Sequence, residues 1–366
     1  MSDNTLSPRP AVNRLVPYSP GKPIEETKRE FGLTDVIKLG SNENALGPSP
    51  KAVEAMKSAL GELNLYPDGA AFTLKNALSE RFGLPAGCIT IGNGSDELIH
   101  YLGIAYLREG DNIVQGDPSF VRYESAAVLN DTECVKVPLK NLTYDLETMA
   151  DAVNERTRMV FVCNPNNPTG TINTKAEVER LMDRVPDSAL IVLDEAYCEY
   201  VGSPQYPDSI QYVKDGRNVI VLRTFSKIYG IAGLRVGYGL ARPDIIRAVE
   251  QVREPFNVNS LAQVGATAAL SDTEHLQRSA SNNTEGKKAF YAAFEAMGLP
   301  YAPSEANFVF VDVKRDCRPV YMALLRKGVI VRTGDIFGLP TYLRVTIGTP
   351  EENQRFLSEL KAILAA

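Results

Sequence analysis

Histidine is scarce in this sequence of 366 residues, which contains only His100 and His275. Two imidazoles cannot build a histidine-rich metal site, and no Asp or Ser motif beside them completes a hydrolase triad. The five cysteines are dispersed and form no CxxC pair. Such spacing favours reduced, mostly buried thiols over metal ligands or disulfides, and it is typical of a cytoplasmic protein. We therefore expect no metal site, and the chemistry must depend on other groups.

Long apolar runs and clusters of positive charge are also lacking. No run approaches the length of a membrane span, and the N-terminal segment has no apolar core of the kind found in signal peptides. Lys+Arg 39 against Asp+Glu 45 gives a net charge of -6, without a basic cluster. Neither a membrane nor a nucleic acid is therefore expected as a partner. Small molecules remain the expected ligands.

The length of the chain exceeds the usual limit for one hydrophobic core, so about two domains are expected. From Cys88 onward, strand and helix patterns alternate as in an α/β fold with a large, doubly wound, mostly parallel sheet. After Ser271 the patterns indicate a smaller α+β domain. We predict an N-terminal arm at residues 1–45 that packs on the small domain, a large domain at residues 46–270 and a small C-terminal domain at residues 271–366.

The predicted elements follow from hydrophobic periodicity and from Gly and Pro boundaries. Strands are predicted at Ile89–Ile91, Asn112–Gln115, Glu133–Val137, Met159–Val162, Leu190–Leu193, Val219–Leu222, Val236–Leu240, Phe308–Val313, Val329–Arg332 and Tyr342–Thr346. Helices are predicted at Ile24–Phe31, Thr73–Phe82, Asp96–Leu107, Phe120–Leu129, Leu146–Val153, Lys175–Arg184, Pro243–Val252, Pro319–Arg326 and Pro350–Leu364, with one more starting near Pro50 and a long polar one between Ser271 and Met297.

The stretch that organises the rest begins with the apolar run Val219–Leu222, whose composition is that of a strand buried on both faces. Lys227 follows past its carboxyl end, where open α/β sheets bind their ligands. A lysine that is desolvated or placed near other cations can lose its proton and attack a carbonyl carbon. Ser226 and Arg235 add a hydroxyl and a guanidinium, which suit a phosphate. An isolated Ser-Lys pair is more often a surface turn, so other segments must support this interpretation.

Two loops provide such support. Gly92–Asp96, with the sequence GNGSD, lies between a predicted strand and a predicted helix, where backbone N–H groups can bind an anion. A plain tight turn explains this segment equally well when it is taken alone. Asn164–Gly170, with the sequence NPNNPTG, follows another predicted strand. Its two X-Pro bonds restrict the backbone, and its amide side chains suit a hydrogen bond to a ring oxygen.

Asp194 ends a buried run, where a carboxylate is costly unless a cation neutralises it. A protonated pyridine nitrogen would do so, and Tyr197 could donate to a phenolate oxygen on the same ring. Phe120 could stack on a ring face, although an aromatic at such a position is more often part of the core. Metal binding by Asp194 and Glu195 is a weaker alternative, because adjacent strand residues point to opposite faces. The combined set is what pyridoxal 5'-phosphate requires.

With these residues in place, the chain resembles the fold-type I, pyridoxal-phosphate-dependent aminotransferases of class I and II, and among them the histidinol-phosphate aminotransferase branch. The motifs that carry the resemblance are SNENALGPSP, NLYPDG, GNGSDE, NPNNPTG, DEAY, RTFSKIYGIAGLRVGY and LRVTIG. The resemblance implies reversible transamination between L-histidinol phosphate and 2-oxoglutarate, giving imidazole acetol phosphate and L-glutamate, in histidine biosynthesis. An aromatic or broad-range amino acid aminotransferase shares the motifs and remains an alternative, as does threonine-phosphate decarboxylase.

The resemblance also implies roles for individual residues. Lys227 would form the Schiff base with the cofactor and later move the proton of the substrate, and Asp194 would pair with the pyridinium nitrogen. Asn167 and Tyr197 would contact the ring oxygen O3', so that Lys227, Asp194 and Tyr197 form the catalytic set. Phe120 stands where the family usually has a stacking tyrosine; it keeps the stacking and loses the hydroxyl. The residues that would bind the cofactor phosphate are Ser95, Asp96 through its backbone, Ser226 and Arg235, and Gly94 and Thr224 would also bind the cofactor.

Two further implications concern the substrate and the partner subunit. Tyr66 resembles a tyrosine that reaches the cofactor phosphate of the neighbouring subunit, which implies a homodimer with shared active sites. Arg344 matches the arginine that binds the acidic end of the substrate. Further candidates for the same end are Tyr18, Asn42, Asn307 and Arg332.

Overall fold

The computed structural model describes residues 6–17 and 20–365. Its helices are α1 (Pro10–Asn13), α2 (Ile24–Phe31), α3 (Pro50–Ala59), α4 (Phe72–Phe82), α5 (Ser95–Tyr106), α6 (Arg122–Leu129), α7 (Leu146–Asp151), α8 (Lys175–Arg184), α9 (Ser209–Lys214), α10 (Pro243–Val252), α11 (Ser260–Leu270), α12 (Thr273–Ala296), α13 (Cys317–Arg326) and α14 (Pro350–Ala365). Its strands are β1 (Ile37–Lys38), β2 (Ile89–Gly92), β3 (Asn112–Asp117), β4 (Glu133–Pro138), β5 (Thr157–Cys163), β6 (Leu190–Asp194), β7 (Val219–Thr224), β8 (Gly237–Ala241), β9 (Tyr301–Ala302), β10 (Phe308–Asp312), β11 (Val329–Ile330), β12 (Arg332–Thr333) and β13 (Tyr342–Thr346).

Seven strands form the large sheet in the order β2-β8-β7-β6-β5-β3-β4. Only β8 runs antiparallel to its neighbours β2 and β7 among these strands. Every residue of β6 is buried, and because successive side chains point to opposite faces, both faces of the sheet are covered at this strand. The predicted α/β fold with a doubly wound, mostly parallel sheet is confirmed.

The carboxyl ends of β5, β6 and β7 lie side by side. Asp194 pairs in register with Cys163 on one side and with Leu222 on the other. The loops that leave these strands therefore start from one edge of the sheet, as parallel pairing requires. This register brings the NPNNPTG loop, Asp194 and the Lys227 segment together, although they are far apart in the sequence.

A smaller unit contains the four-stranded antiparallel sheet β12-β13-β10-β9 and the parallel pair β1-β11. Its hydrophobic core forms a cluster separate from that of the large sheet and includes Phe290, Phe294, Leu343 and Phe356. Two separate cores support the division that the sequence predicts. We therefore propose a large domain at residues 46–270 and a small one at residues 271–366.

The N-terminal arm divides its contacts between the two units. Helix α2 contacts α13, and β1 pairs with β11, so this part joins the small unit as expected. Helix α1 instead contacts α6, and Arg9 and Arg14 both bond the carboxylate of Asp131. The arm therefore does not pack on the small unit throughout its length, because its first arginines find their acidic partner beside the large sheet.

Most predicted elements lie within a few residues of the observed ones. The short elements α1, α9, β1 and β9 were not predicted, and two larger features also differ. The single strand predicted at Val329–Arg332 is two strands, since β11 pairs with β1 while β12 pairs with β13. Helix α11 was not predicted, because it is apolar on most of its surface and packs against α3 and α4, which removes the amphipathic period.

Among the helices of residues 6–17 and 20–365, none is long and apolar enough to cross a membrane.

Candidate active site

A cavity of about 350 Å³ lies where the loops leave β5, β6 and β7. Its lining consists of Gly21, Gly40, Ser41, Asn42, Ser95, Asp96, Phe120, Arg122, Cys163, Asn167, Asp194, Ala196, Tyr197, Thr224, Ser226, Lys227, Arg235, Arg332 and Arg344. All predicted site residues line this cavity except Gly94, Tyr66 and Asn307, with Tyr18 lying outside the described residues. The structure thus brings most of the predicted site residues together in one cavity.

Lys227 lies in the loop that follows β7. The backbone N–H of Phe225 bonds the carbonyl of Val236 at 3.0 Å, and that of Gly230 bonds the carbonyl of Lys227 at 3.0 Å, so both sides of the lysine are anchored. Its Nζ lies 5.4 Å from the centre of the Tyr197 ring. Burial lowers the pKa of Lys227 to about 8, and the nearby arginines act in the same direction. The neutral, nucleophilic form of this amine is therefore far more accessible near neutral pH than that of an ordinary lysine.

The Asp194 carboxylate is 3% exposed at the end of β6. Its Oδ2 accepts a hydrogen bond from the Tyr123 hydroxyl at 2.7 Å, and its Oδ1 accepts one from the Ala196 backbone N–H at 3.2 Å. Burial raises the pKa of Asp194 to about 6, although both hydrogen bonds act in the opposite direction. A cationic group beside this carboxylate would stabilise its charged form.

The GNGSD loop connects β2 to α5 and presents the first turn of that helix to the cavity. Gly94 precedes the helix with φ of 81° and provides no side-chain cap, so the first backbone N–H groups are not bonded by a capping side chain. A Cβ on Gly94 would lie 2.6 Å from Nη2 of Arg235. Gly94 does not line the cavity, but glycine is needed at this position for both the positive φ and the approach of Arg235. The first turn of α5, which starts with Ser95 and Asp96, offers backbone N–H groups that could hold an anion.

Thr224, Ser226 and Arg235 complete this polar corner. Thr224 Oγ1 donates to Ser226 Oγ at 3.0 Å, and Arg235 Nη1 donates to the same oxygen at 3.3 Å. Arg235 has φ of 57°, a left-handed conformation that is uncommon for a residue with a side chain. Its guanidinium is thereby directed toward Gly94 and the start of α5, where it adds a positive charge to the anion site.

The opposite wall contains the predicted ring and substrate contacts. Arg344 is buried and donates from Nη1 to Asn167 Oδ1 at 2.5 Å and from Nη2 to the Gly40 carbonyl at 2.9 Å. Asn42 Nδ2 donates to the Tyr197 hydroxyl oxygen at 3.0 Å. Burial raises the pKa of Tyr197 above its usual range, so that hydroxyl remains protonated and can itself donate a hydrogen bond.

Besides Gly94, two predicted residues of the described chain do not line the cavity. Asn307 does not line it; its Nδ2 donates to the Asn42 carbonyl at 3.0 Å, because β10 places this side chain behind the chain segment that forms the wall. Its role would be to support Asn42. Tyr66 is 82% exposed and stacks on the ring of Phe256 with centroids 4.8 Å apart. It does not line the cavity of its own chain.

The sequence reasoning missed Arg122, which lines the cavity and donates from Nε to Asp96 Oδ1 at 3.2 Å. Its position two residues after Phe120, at the start of α6, is the signal that could have identified it.

The cavity thus contains five cationic side chains and two carboxylates: Arg122, Lys227, Arg235, Arg332 and Arg344 against Asp96 and Asp194. The excess of positive charge favours anionic ligands. Within the described chain, no group of three or more His, Cys, Asp or Glu residues could hold a metal ion.

Comparison with known proteins gives consistent results. Residues 34–360 match the family model of the class I and II aminotransferases. A histidinol-phosphate aminotransferase of Moorella thermoacetica is 56% identical over 358 residues, covering 98% of this chain and 93% of that protein. Histidinol-phosphate aminotransferase 2 of Pseudomonas aeruginosa is 47% identical over 367 residues and covers both chains completely.

Solved structures show the same fold. The structure of histidinol-phosphate aminotransferase from Sinorhizobium meliloti in complex with pyridoxal-5'-phosphate superimposes with a TM-score of 0.91 at 27% identity, covering 99% of each chain. An aspartate aminotransferase double mutant from Thermus thermophilus has a TM-score of 0.85 at 22% identity, which is a likeness of fold alone. The lysine loop, the buried aspartate and the match over residues 34–360 lead to one conclusion: the chain belongs to the class I and II aminotransferases.

Proposed function

We propose that this chain catalyses reversible transamination between L-histidinol phosphate and 2-oxoglutarate, giving imidazole acetol phosphate and L-glutamate, as a pyridoxal-phosphate-dependent enzyme of histidine biosynthesis. The observation that carries the proposal is that Lys227, an amine with a lowered pKa, shares one cavity with the buried Asp194 and the arginines Arg332 and Arg344. The names of the relatives that are 56% and 47% identical over almost the full chain support this choice of substrate.

The donor groups of the cavity fit pyridoxal phosphate. The carboxylate of Asp194 is buried, and no cationic side chain of residues 6–17 and 20–365 is bonded to it; a protonated ring nitrogen would neutralise it. The start of α5, together with Ser226 and Arg235, offers backbone N–H groups, a hydroxyl and a guanidinium to a phosphate. Phe120 lines the same cavity and offers an aromatic face. Ring, phosphate and carbonyl would thus each find a complementary group.

When bound, the cofactor supplies a carbonyl carbon that carries the amino group and a ring that withdraws electrons. Lys227 would provide the amine that attaches it and then the base that moves the proton from the substrate Cα to that carbon. Asp194 would hold the proton on the ring nitrogen. Asn167 accepts from Arg344 through Oδ1, so its Nδ2 is the atom directed to donate to the ring oxygen, beside the protonated hydroxyl of Tyr197.

The substrates carry different anions, and the same arginines must bind both. A guanidinium pairs in bidentate fashion with either a carboxylate or a phosphate. Arg344 would therefore bind a carboxylate of glutamate in one half-reaction and the phosphate of the partner substrate in the other. Arg332 and Asn42 line the same cavity and would share this task. Excess positive charge stabilises both anions.

We also infer a homodimer with shared active sites. Several large apolar side chains are exposed in residues 60–72 and at position 256: Leu60, Leu63, Leu65, Tyr66, Phe72 and Phe256. A soluble surface rarely leaves such a set uncovered, and a second copy of the chain would cover it. Tyr66 does not line the cavity of its own chain, and the proposed dimer would give this side chain access to the cavity of the partner.

The proposed location is the cytoplasm. All five cysteines are free thiols, three of them buried: Cys88, Cys163 and Cys317. Free thiols persist in a reducing compartment, whereas oxidising compartments favour disulfides. This location would also give the enzyme access to the phosphorylated intermediates of amino acid synthesis. Immunodetection in cell fractions would test it directly, with recovery in a membrane or extracellular fraction as the contrary result.

An absorbance experiment tests the activity. Purified protein is supplied with pyridoxal phosphate and its visible band is recorded; L-histidinol phosphate or L-phenylalanine is then added without an oxo acid. We expect histidinol phosphate to abolish the visible band rapidly and phenylalanine to do so slowly, with 2-oxoglutarate restoring the band in each case. Equal rates for the two amino donors would favour a broad-range aminotransferase.

A second assay separates the decarboxylase alternative. Release of CO2 from O-phospho-L-threonine would identify the chain as a threonine-phosphate decarboxylase, whereas stoichiometric formation of glutamate from histidinol phosphate and 2-oxoglutarate supports the proposal. A variant with Lys227→Ala serves as the control for both assays, because it removes the proposed nucleophile and base. A wild-type protein with no visible band after addition of the cofactor would contradict the proposed function as a whole.

A further inference from the structure

Tyr123 lies behind the cavity and does not line it. It is the second residue of α6 and is completely buried. Its ring stacks on Phe161 of β5, with centroids 4.5 Å apart and an interplanar angle of 17°. Its hydroxyl donates to Oδ2 of Asp194 at 2.7 Å. Packing on β5 thus fixes the ring, and the fixed ring places one hydroxyl on the catalytic carboxylate.

The two oxygens of Asp194 are held by two different elements. Oδ2 accepts from Tyr123 of α6, and Oδ1 accepts from the Ala196 backbone N–H at 3.2 Å. Burial raises the pKa of the Tyr123 phenol well above its usual value, so the hydroxyl acts as a donor throughout the working pH range. The other titratable groups whose charges act on Asp194 or respond to it are Lys227, Asp96, Cys163, Tyr144 and Tyr197.

We propose that Tyr123 is a positioning residue for transamination, which keeps Asp194 ionised and oriented toward the ring nitrogen of the cofactor. The proposal rests on the proposed function for the identity of that ring, whereas the hydrogen bond itself is a property of the chain. A buried carboxylate loses solvation, and a hydrogen bond to its charged form restores part of that loss. Without this donor, Asp194 would take up a proton more readily and would hold the ring proton less firmly.

The first test uses the protein without cofactor and the substitution Tyr123→Phe, which keeps the stacked ring and removes only the hydroxyl. The raised pKa of Asp194 means that its contribution to stability is present at low pH and is lost as pH rises through about 6. Loss of the donor raises this pKa further. We expect the pH-dependent loss of unfolding free energy to move upward by about one pH unit in the variant.

The second test uses the enzyme loaded with pyridoxal phosphate. We expect Tyr123→Phe to lower kcat by about tenfold, with little change in the KM of histidinol phosphate or 2-oxoglutarate, and to weaken cofactor binding by a similar factor. The matched control is Tyr238→Phe, because Tyr238 is also fully buried and its hydroxyl has no hydrogen-bond partner among the described residues. This control should change neither the pH dependence nor kcat.

A double substitution separates positioning from a general loss of stability. In an Asp194→Asn background, Tyr123→Phe should have almost no further effect on cofactor binding, because the carboxylate that it supports is absent. Additive effects, or identical behaviour of Tyr123→Phe and Tyr238→Phe, would overturn the inference while the wild-type reaction stands. A wild-type protein that does not bind the cofactor would instead overturn the proposed function and the catalytic part of this inference with it.

Discussion

Arg344 and Asn167 are joined by a hydrogen bond of 2.5 Å from Nη1 to Oδ1. The bond links β13 of the small unit to the loop that follows β5 of the large sheet. In the proposed enzyme, a substrate-binding residue is thus bonded directly to a cofactor-binding residue. A substrate anion that pairs with Arg344 must share or displace this contact, so binding of the substrate and placement of the Asn167 amide are physically coupled.

Substitution Arg344→Ala tests the substrate role. We expect KM to rise by about tenfold or more for both histidinol phosphate and glutamate, since each loses charge-assisted hydrogen bonds to the guanidinium. The visible absorbance of the bound cofactor should persist because Lys227, Asp194 and the anion loop are unchanged. Steady-state kinetics with each substrate, together with the spectrum, provide the measurement.

The matched control for this prediction is Arg180→Ala. Arg180 lies on the surface, where its Nε bonds Glu147 at 2.9 Å and its side chain is about half exposed. An exposed ion pair contributes little to stability, and this arginine is remote from the cavity lining. Unchanged KM values in Arg344→Ala would remove that residue from the substrate site.

The buried Lys227 is expected to lower the free energy of unfolding of the protein without cofactor, by an amount that depends on pH. Its folded pKa of about 8 lies below the usual lysine value, so its contribution to stability is present above the unfolded pKa and is lost as pH falls through about 8. Replacement Lys227→Met should therefore raise the free energy of unfolding at pH 7 by about 2 kcal/mol and abolish activity. Denaturant titrations from pH 7 to pH 10 should show this gain decreasing as pH rises.

Lys175→Met is the appropriate control for that experiment, because the Lys175 side chain is largely exposed. Its ion pair with Glu179 is long, at 3.8 Å, and is also exposed. Its stability difference from the wild type should be small and independent of pH over the same range. A gain in Lys227→Met that is equally independent of pH would mean that the lysine is not desolvated.

Phe120 provides a prediction about stacking without a hydroxyl. Phe120→Tyr should bind pyridoxal phosphate and turn over at rates close to those of the wild type, because the ring face is retained. Phe120→Ala should weaken cofactor binding by about tenfold, since an aromatic contact and its buried area are lost. Equilibrium dialysis of the cofactor measures both. Equal affinities of the Ala variant and the wild type would exclude a stacking role.

Much of the fold and of the site could be predicted because their signals are local. The run Val219–Leu222 is apolar at each position, so a buried strand and a following ligand loop could be inferred without knowledge of the neighbours. The same holds for Asp194, since a carboxylate at the end of a buried run requires a partner. The carboxyl ends of β6 and β7 lie at the same edge of the sheet because the two strands are parallel neighbours.

The features that were missed depend on contacts between distant segments. Tyr123 has the composition of a core residue, and only the fold shows that its hydroxyl meets Asp194. Asn307 is polar and close in space to the wall, but the position of β10 directs it to the backbone of Asn42. The break between β11 and β12 likewise depends on which strand each one meets, which no local pattern of residues records.

The exposed apolar surface around Tyr66 and Phe256 predicts the oligomeric state. Substitution Phe256→Asp places a charge beside the Tyr66 ring, on the surface that a second copy would cover, and should convert the dimer to monomers with reduced activity. Analytical ultracentrifugation measures the mass. Ile336→Asp is the control, since Ile336 is an equally exposed apolar residue (45% in both cases) outside this surface. A Phe256→Asp protein that remains dimeric would place the interface elsewhere, and a monomeric wild type with full activity would exclude shared sites.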